Sequence, residues 1–507
     1  MSGDGPSRRA ALLGALALAG CGASPRTPDV ASLYRFAGRL DAEERRPIVA
    51  IPGLMGSRLR VGADGPFAWG GPRRLSADVS DAEGLRRLAL PIGRGPEPLS
   101  ALSDDLRPAG VMREANALLP FGAVQQQVYA GLIEVLRNGG YGFADAPRRA
   151  GGTDAAVAAE AFEFAYDWRR GIVAGAKALD AFVARKTEEI LAARKARDGR
   201  APAPEALRFD FVAHSLGALV LRWWLMYGAA DPPEDGPPPE PDWIGARRTA
   251  CAIFVGPPNL GSIGAFRSLL EGRRPGGPFT PHYPPGLLGT YPSIYQLMPR
   301  DRHGRVSVGT AEGPSPGSLY DVETWAEGGW GLLDPAEDGR LSRLMPEARG
   351  RAERERRARA HLAKCLAAAR RVHQGLDRRG APGFADLFLV VGTGLDTPAA
   401  MVLDEAGGRP RRLLDEEGDG VVLRASALMD ESQGEGPSDA PRRPVGYRTV
   451  LLLPGEHVEL TRNPVFADNL LFWLLGSPLA TQSGGEASVA TAEAAAARRR
   501  GGAEGGP

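Results

Sequence analysis

Short apolar runs alternate with longer amphipathic ones along most of the chain. Ile48, Val49, Ala50 and Ile51 form a continuous apolar run, residues 162–166 alternate apolar and polar, and Phe209, Phe211 and Val212 lead into a third segment. Residues 249–256, 387–391 and 447–453 repeat the short apolar pattern, so all six read as strands. A spacing near 3.6 predicts helices over 123–138 (Val124, Val128, Leu132, Val135, Leu136), 172–198, from Leu216 through Trp224, and 465–475. Residues 346–379 add a helix-forming stretch rich in arginine. Buried strands that alternate with helices need crossover connections, and these imply a mostly parallel sheet with helices on both faces.

The pattern also divides the chain. Residues 47–262 read as the first part of an α/β core and 383–477 as the second. Within the first part, residues 62–120 are rich in glycine, proline and aspartate, with an exposed-looking Phe67-Ala68-Trp69. That composition suits a lid over a site, and equally an irregular surface excursion. Residues 263–382 form an inserted cap without a strong strand, residues 231–241 a stiff exposed loop, and residues 478–507 a disordered tail. The arginine-rich helix is most simply a solvated face, with attraction to anionic lipid headgroups as the alternative.

The third apolar segment runs into Ala213-His214-Ser215-Leu216-Gly217 and leaves as a helix. Strand, sharp turn and helix around a serine between small residues is the nucleophile elbow of α/β-hydrolases; by itself the pentapeptide also fits an ordinary loop. A serine hydroxyl needs a base, which a carboxylate orients. Of six histidines, His214 adjoins the serine and should point to the opposite side of the strand. His282 and His303 lie in the insertion, and His361 and His373 sit on the arginine-rich helix, where a solvated surface is expected. His457 follows the last strand in a Pro454-Gly455-Glu456-His457 turn, where this fold carries its base. The acid should precede it. Asp419 is clamped in Gly418-Asp419-Gly420 ahead of Val421-Val422-Leu423, whereas Asp415, Glu416 and Glu417 look solvent-facing. A turn aspartate that merely caps the next element is the plain alternative. Pro52-Gly53 stops the first strand and leaves consecutive amides in Leu54-Met55-Gly56-Ser57 without ladder partners, as in a loop that donates to an oxyanion hole or in a simple β-turn.

Charge and the N-terminus narrow the partners. Formal net charge is +1, and Asp4, Arg8 and Arg9 in the first twenty residues leave zero for the rest, so no basic field points to nucleic acid. Residues 1–20 carry Arg8-Arg9, an apolar run over 10–19 and a small-residue stop, too short to span a bilayer and suited to export. Leu18-Ala19-Gly20-Cys21 resembles a bacterial lipobox, and Ser7-Arg8-Arg9 faintly resembles a twin-arginine signal. Lipidated Cys21 would tether the protein to the cell envelope through a linker over 21–46; a plain secretory signal is the alternative. Cys251 and Cys365 read as two free buried thiols. No spacing suggests a metal, and Gly392-Thr393-Gly394 lacks the rest of a dinucleotide fingerprint, so no cofactor is expected.

Several blocks together resemble the lecithin:cholesterol acyltransferase and phospholipid:diacylglycerol acyltransferase family: residues 47–60, 129–142, 164–169 (FAYDWR), 209–217, 418–423 (GDGVVL) and 455–475. The resemblance implies an α/β-hydrolase fold with an inserted cap or lid. It implies Ser215, Asp419 and His457 as a triad, with the Met55 and Leu216 amides in the oxyanion hole. It further implies transfer of a fatty acyl group from a phospholipid or glycerolipid ester, at a membrane surface, to a hydroxyl acceptor. The sequence departs from the family in Ala213, in Val421 after Gly-Asp-Gly, and in having no cysteine between residues 22 and 250 for a lid disulfide. The competing readings are a lipase or phospholipase that uses water, and an inactive lipid-binding lipoprotein on the same fold. The second is disfavoured because no member of the triad is missing.

Overall fold

Six apolar runs pair into one sheet in the computed structural model: β1 (Ile48–Ile51), β2 (Ala161–Glu163), β3 (Phe209–His214), β4 (Thr249–Val255), β5 (Asp386–Thr393) and β6 (Thr449–Pro454). Their order is β6-β5-β4-β3-β1-β2, and every neighbouring pair is parallel. The structure describes residues 46–71, 78–119, 122–127, 129–143, 161–275, 281–301, 305–378, 380–429 and 445–476. The expected export signal, Cys21, the linker as far as residue 45, His303 and the tail lie outside them.

Strands covered on both sides read as unbroken apolar runs, because successive side chains enter opposite cores. Val49, Phe211, Phe254 and Leu389 enter one core, with α2 (Ile172–Asp198), α3 (Leu216–Tyr227) and α5 (Arg351–Leu376). Ala50, Val212, Ile253 and Val390 enter the other, with α1 (Ala130–Asn138) and α6 (Pro464–Leu471). All twelve residues of α3 are buried. Apart from Arg222, whose guanidinium donates to Asn259 Oδ1 and the Leu376 carbonyl, the helix is apolar all round and belongs in a core, and each large apolar side chain buried there contributes about 1.5–3 kcal/mol. After β4 the chain builds α4 (Ile263–Glu271), several short helices and α5 before it returns to the neighbouring place in the sheet as β5.

Four sequence expectations are corrected. The helix over 123–138 begins only at Ala130, and Gly122–Gln127 is a strand paired antiparallel with Glu114–Leu119. The Val124–Val128 interval satisfies a strand as well as a helix, because four is an even step. Phe67-Ala68-Trp69 is not exposed: it is a strand beside Ser57–Val61, itself paired with Leu106–Val111, and Trp69 is 1% exposed. The insertion does contain a strand, Arg305–Val308, parallel to Leu395–Leu403, which pairs antiparallel with Pro410–Gly418. Four residues led by an arginine carry no periodicity to detect. His361 and His373 are buried, because they share the α5 stripe of Ala358, Leu362 and Ala369 that faces the core. Their Nε2 atoms bond the carbonyls of Thr290 and Gln296, at 3.3 and 2.8 Å. Cys251 and Cys365 are free and buried, as expected.

Candidate active site

The loops at the carboxyl ends of β1, β3 and β6 converge with the turn after Pro410–Gly418. Ser215 stands between β3 and α3 with φ 54° and ψ −125°. A side chain in that region costs about 1–3 kcal/mol, which the surrounding structure must outweigh. The Ser215 N–H donates to the Val255 carbonyl at 2.9 Å, and the Ala218 N–H donates to the Ser215 carbonyl at 3.0 Å. A Cβ at Gly217 would lie 2.3 Å from the Pro52 carbonyl oxygen, so glycine alone lets α3 start this close to β1. Ala213 is fully buried, and its methyl fits where the commoner motif has glycine.

Met55 also has a positive φ, 62°. Its carbonyl accepts from the Trp69 indole at 2.7 Å, while its amide has no partner among the described residues. The Leu216 amide is the first of α3 and has no acceptor within the helix. Residues 164–169 brace this loop from behind. The Tyr166 hydroxyl donates to the Pro52 carbonyl at 3.1 Å, and the Trp168 indole donates to the Ser57 carbonyl at 3.0 Å. Arg169, fully buried, is neutralised by Asp167 and Asp104 at 2.8 and 2.7 Å.

The structure brings Asp419 and His457 together: Asp419 Oδ2 lies 2.8 Å from His457 Nδ1, and the His457 N–H donates to the Asp419 carbonyl at 3.0 Å. Asp419 Oδ1 accepts from the amides of Val422 and Val421, at 2.7 and 3.0 Å. A Cβ at Gly392 would meet the Asp419 Cβ at 2.4 Å, which explains a glycine for which no nucleotide role was expected. Burial pushes the Asp419 carboxyl up, but the His457 ring and the two amides outweigh it, so it titrates below the usual carboxylate range. His457 Nε2 is buried and has no hydrogen-bond partner among the described residues. It faces the same cavity as Ser215, a space of about 700 Å³. Leu54, Trp69, Met112, Ile294, Leu297 and Val422 supply apolar wall, and Arg267, Glu271 and Arg273 a charged rim. His282 also borders the cavity, with its Nε2 3.0 Å from the Glu271 carbonyl. Asp415, Glu416 and Glu417 are exposed on their strand.

His214 makes no hydrogen bond to Ser215. It is 4% exposed and bonds the Tyr129 hydroxyl and the His457 carbonyl instead. Burial, and next the nearby His457, push its pKa down to about 3, and burial pushes His361 down to about 4. Below pH ~6.5 the unfolded chain protonates these histidines and the folded chain does not, so stability falls as pH drops from about 6.5 toward those values, by up to about 1.4 kcal/mol per unit for each. Burial of Asp210, whose pKa is raised to about 6, opposes this between pH ~4 and 6. The stability difference between the wild type and His214→Gln is therefore expected to shrink by about 1 kcal/mol per unit from pH 6.5 to 4.5, measured by urea unfolding. An unchanged difference would mean that His214 accepts a proton in the folded protein.

Among the described residues no group of three histidine, cysteine or acidic side chains could hold a metal ion. Sequence reasoning missed Trp69 and the pairing of Tyr129 with His214; the only signal for Tyr129 was that it opens one of the six resembling blocks.

An α/β-hydrolase fold, with a serine on the elbow and, facing the same cavity, a histidine whose other ring nitrogen meets a buried aspartate, is the class these elements define. No family profile matches the sequence, and no curated protein matches it. Among the solved structures it is similar to is one described as the crystal structure of the Tle4-Tli4 complex, with a TM-score of 0.50 at 14% identity over 85% of this chain and 98% of that one. At that identity the likeness speaks for the fold.

Proposed function

We propose that the chain is a serine-dependent enzyme of lipid carboxylic esters that works through an acyl group carried on Ser215. The observation that carries this reading is the buried His457 Nε2, without a partner among the described residues, in a cavity shared with Ser215, on a ring whose other nitrogen is held by an ionised Asp419. His457 Nε2 takes the proton as Ser215 Oγ bonds to the ester carbonyl carbon. The Met55 and Leu216 amides stabilise the charge on the carbonyl oxygen. The carbon–oxygen bond to the alcohol then breaks, and the alcohol leaves with the proton from His457, so the acyl group stays on Oγ. A second hydroxyl attacks, gives its proton to His457, and leaves as the acid or the new ester while Oγ is reprotonated. The apolar wall of the cavity suits an acyl chain.

Hydrolysis, the lipase or phospholipase reading, fits a site with a charged rim that water can wet. Acyl transfer to an alcohol is the second reading. It is favoured by the way the FAYDWR block braces the Pro52–Ser57 loop, because that ties two of the resembling blocks into one unit beside Ser215. Tethering through Cys21 at a membrane surface belongs to the same proposal. Incubation with acyl-labelled phospholipid, with and without sterol or diacylglycerol, separates the readings. Free fatty acid in both arms is expected for hydrolysis, and a labelled ester only with acceptor for transfer. No product in either arm, with Ser215 intact, contradicts both.

A further inference from the structure

Tyr129 and His214 join two loops that are far apart in the chain. The Gly53 N–H meets Tyr129 Oη at 2.8 Å, Tyr129 Oη meets His214 Nδ1 at 2.8 Å, and His214 Nε2 meets the His457 carbonyl at 3.0 Å. Tyr129 and His214 are each 4% exposed. The two ends set the direction of the chain. An amide can only donate, so the Tyr129 oxygen accepts from Gly53 and its own hydrogen is free for His214 Nδ1. A carbonyl can only accept, so the His214 ring hydrogen sits on Nε2 and Nδ1 is the bare acceptor. Reversing the middle link would set a bare nitrogen against the His457 carbonyl. Protonating the ring would place a second charge in a buried site whose ring centre is 4.6 Å from that of His457.

Each end lies on a loop the proposed reaction uses. Gly53 lies two residues before Met55, on the loop whose amide would meet the oxyanion. The other end is the carbonyl of the base residue itself. His457 is thereby held at its N–H by the Asp419 carbonyl, at Nδ1 by the Asp419 carboxylate and at its carbonyl by His214. Among the described residues, Nε2 is the one polar atom of His457 left without a partner. The two backbone bonds fix where the His457 main chain sits, and the carboxylate at Nδ1 fixes how the ring turns on it, so loss of the His214 bond would free the base loop to shift and carry the ring with it. Because successive bonds polarise one another, the two loops act as one unit and not as independent contacts.

We propose that Tyr129 and His214 are positioning residues, which set the oxyanion loop and the base loop in register across the nucleophile through one directed chain of hydrogen bonds. The inference rests on the reading of Ser215 as the acyl carrier. Neither side chain touches the reacting atoms; both act through Gly53 and His457. Displacements of about 1 Å at a reacting centre cost on the order of 100-fold in rate, so breaking the chain should slow acylation without weakening substrate binding.

The test uses Tyr129→Phe, His214→Ala, His214→Gln, the double variant Tyr129→Phe/His214→Ala, and Ser215→Ala, with p-nitrophenyl butyrate as substrate. Rates are expressed per active site, counted by stoichiometric labelling with a fluorophosphonate. Tyr129→Phe is expected to lower kcat per labelled site about 10- to 100-fold, with KM within about twofold. His214→Ala should do the same, and the double variant should be no worse than the single, as for members of one network. His214→Gln, whose amide can reach the His457 carbonyl, should recover about tenfold over alanine. A purely structural role would reduce the number of labelled sites and leave kcat per site unchanged. That outcome, or losses that multiply in the double variant, overturns the inference and leaves the reading of Ser215 standing. Full turnover by Ser215→Ala would overturn both.

Discussion

Ser215→Ala is expected to lower ester turnover on the order of a million-fold, because removing the nucleophile of a serine–histidine–aspartate unit abolishes the covalent route as a whole. The loss should be chemical and not structural. The Ser215 hydroxyl makes no hydrogen bond among the described residues, and alanine can occupy the same backbone geometry at the same strain. Melting temperature should therefore change little. The residual rate should be that of a site that still binds the ester and polarises its carbonyl through the Met55 and Leu216 amides. A variant that turns over esters within tenfold of the wild type would remove Ser215 from the chemistry, whatever its backbone conformation.

Asp419→Asn is the second large effect, expected at about ten-thousand-fold in kcat. The substitution keeps size and shape, and Oδ1 can still accept from the Val421 and Val422 amides. The atom facing His457 Nδ1 becomes an NH2 group, which donates where the carboxylate accepted. Nδ1 must then be bare, its proton moves to Nε2, and the nitrogen facing the cavity can no longer take a proton from serine. The measurement is kcat for the variant across pH 6 to 9. A loss of less than tenfold would mean that another group orients the ring. The acidic neighbours Asp415, Glu416 and Glu417 offer none, since they are exposed along their strand.

The core of the fold was legible because its signals are local. Most strands of the parallel sheet are largely apolar, most completely where both faces are covered, as in Ile48–Ile51, and this pattern survives without any knowledge of partners. The three candidate site residues were legible for a related reason. Ser215 is framed by the small residues an elbow needs, Asp419 by the glycines of a tight turn, and His457 by the turn that ends the last strand.

What escaped depends on pairings that sequence does not write down. Arg305–Val308 is a strand only because Leu395–Leu403 lies beside it, and Gly122–Gln127 only because Glu114–Leu119 does. Trp69 looks exposed in a run of glycine and proline, yet it is buried against the loop whose Met55 carbonyl it holds. His361 and His373 lie among arginines in sequence, but the helix turns them to the opposite side, where each meets a backbone carbonyl and His373 also meets the Tyr320 hydroxyl. The tie through Tyr129 and His214 spans separations of 76, 85 and 243 residues, beyond any periodicity. His214 is informative in another way. It was expected not to reach the serine, and it makes no bond to it; what it meets instead is the Tyr129 hydroxyl and the His457 carbonyl.

The most direct test of the account is to trap the acyl group. The protein is mixed with a long-chain p-nitrophenyl ester, quenched in acid within the first turnovers and weighed intact, then digested and mapped. The account predicts one added acyl mass, located on the peptide containing Ser215, lost with time at neutral pH, and absent from Ser215→Ala. An acyl adduct on any other residue, or turnover of the ester with no adduct on a wild-type protein quenched before its steady state, would contradict it.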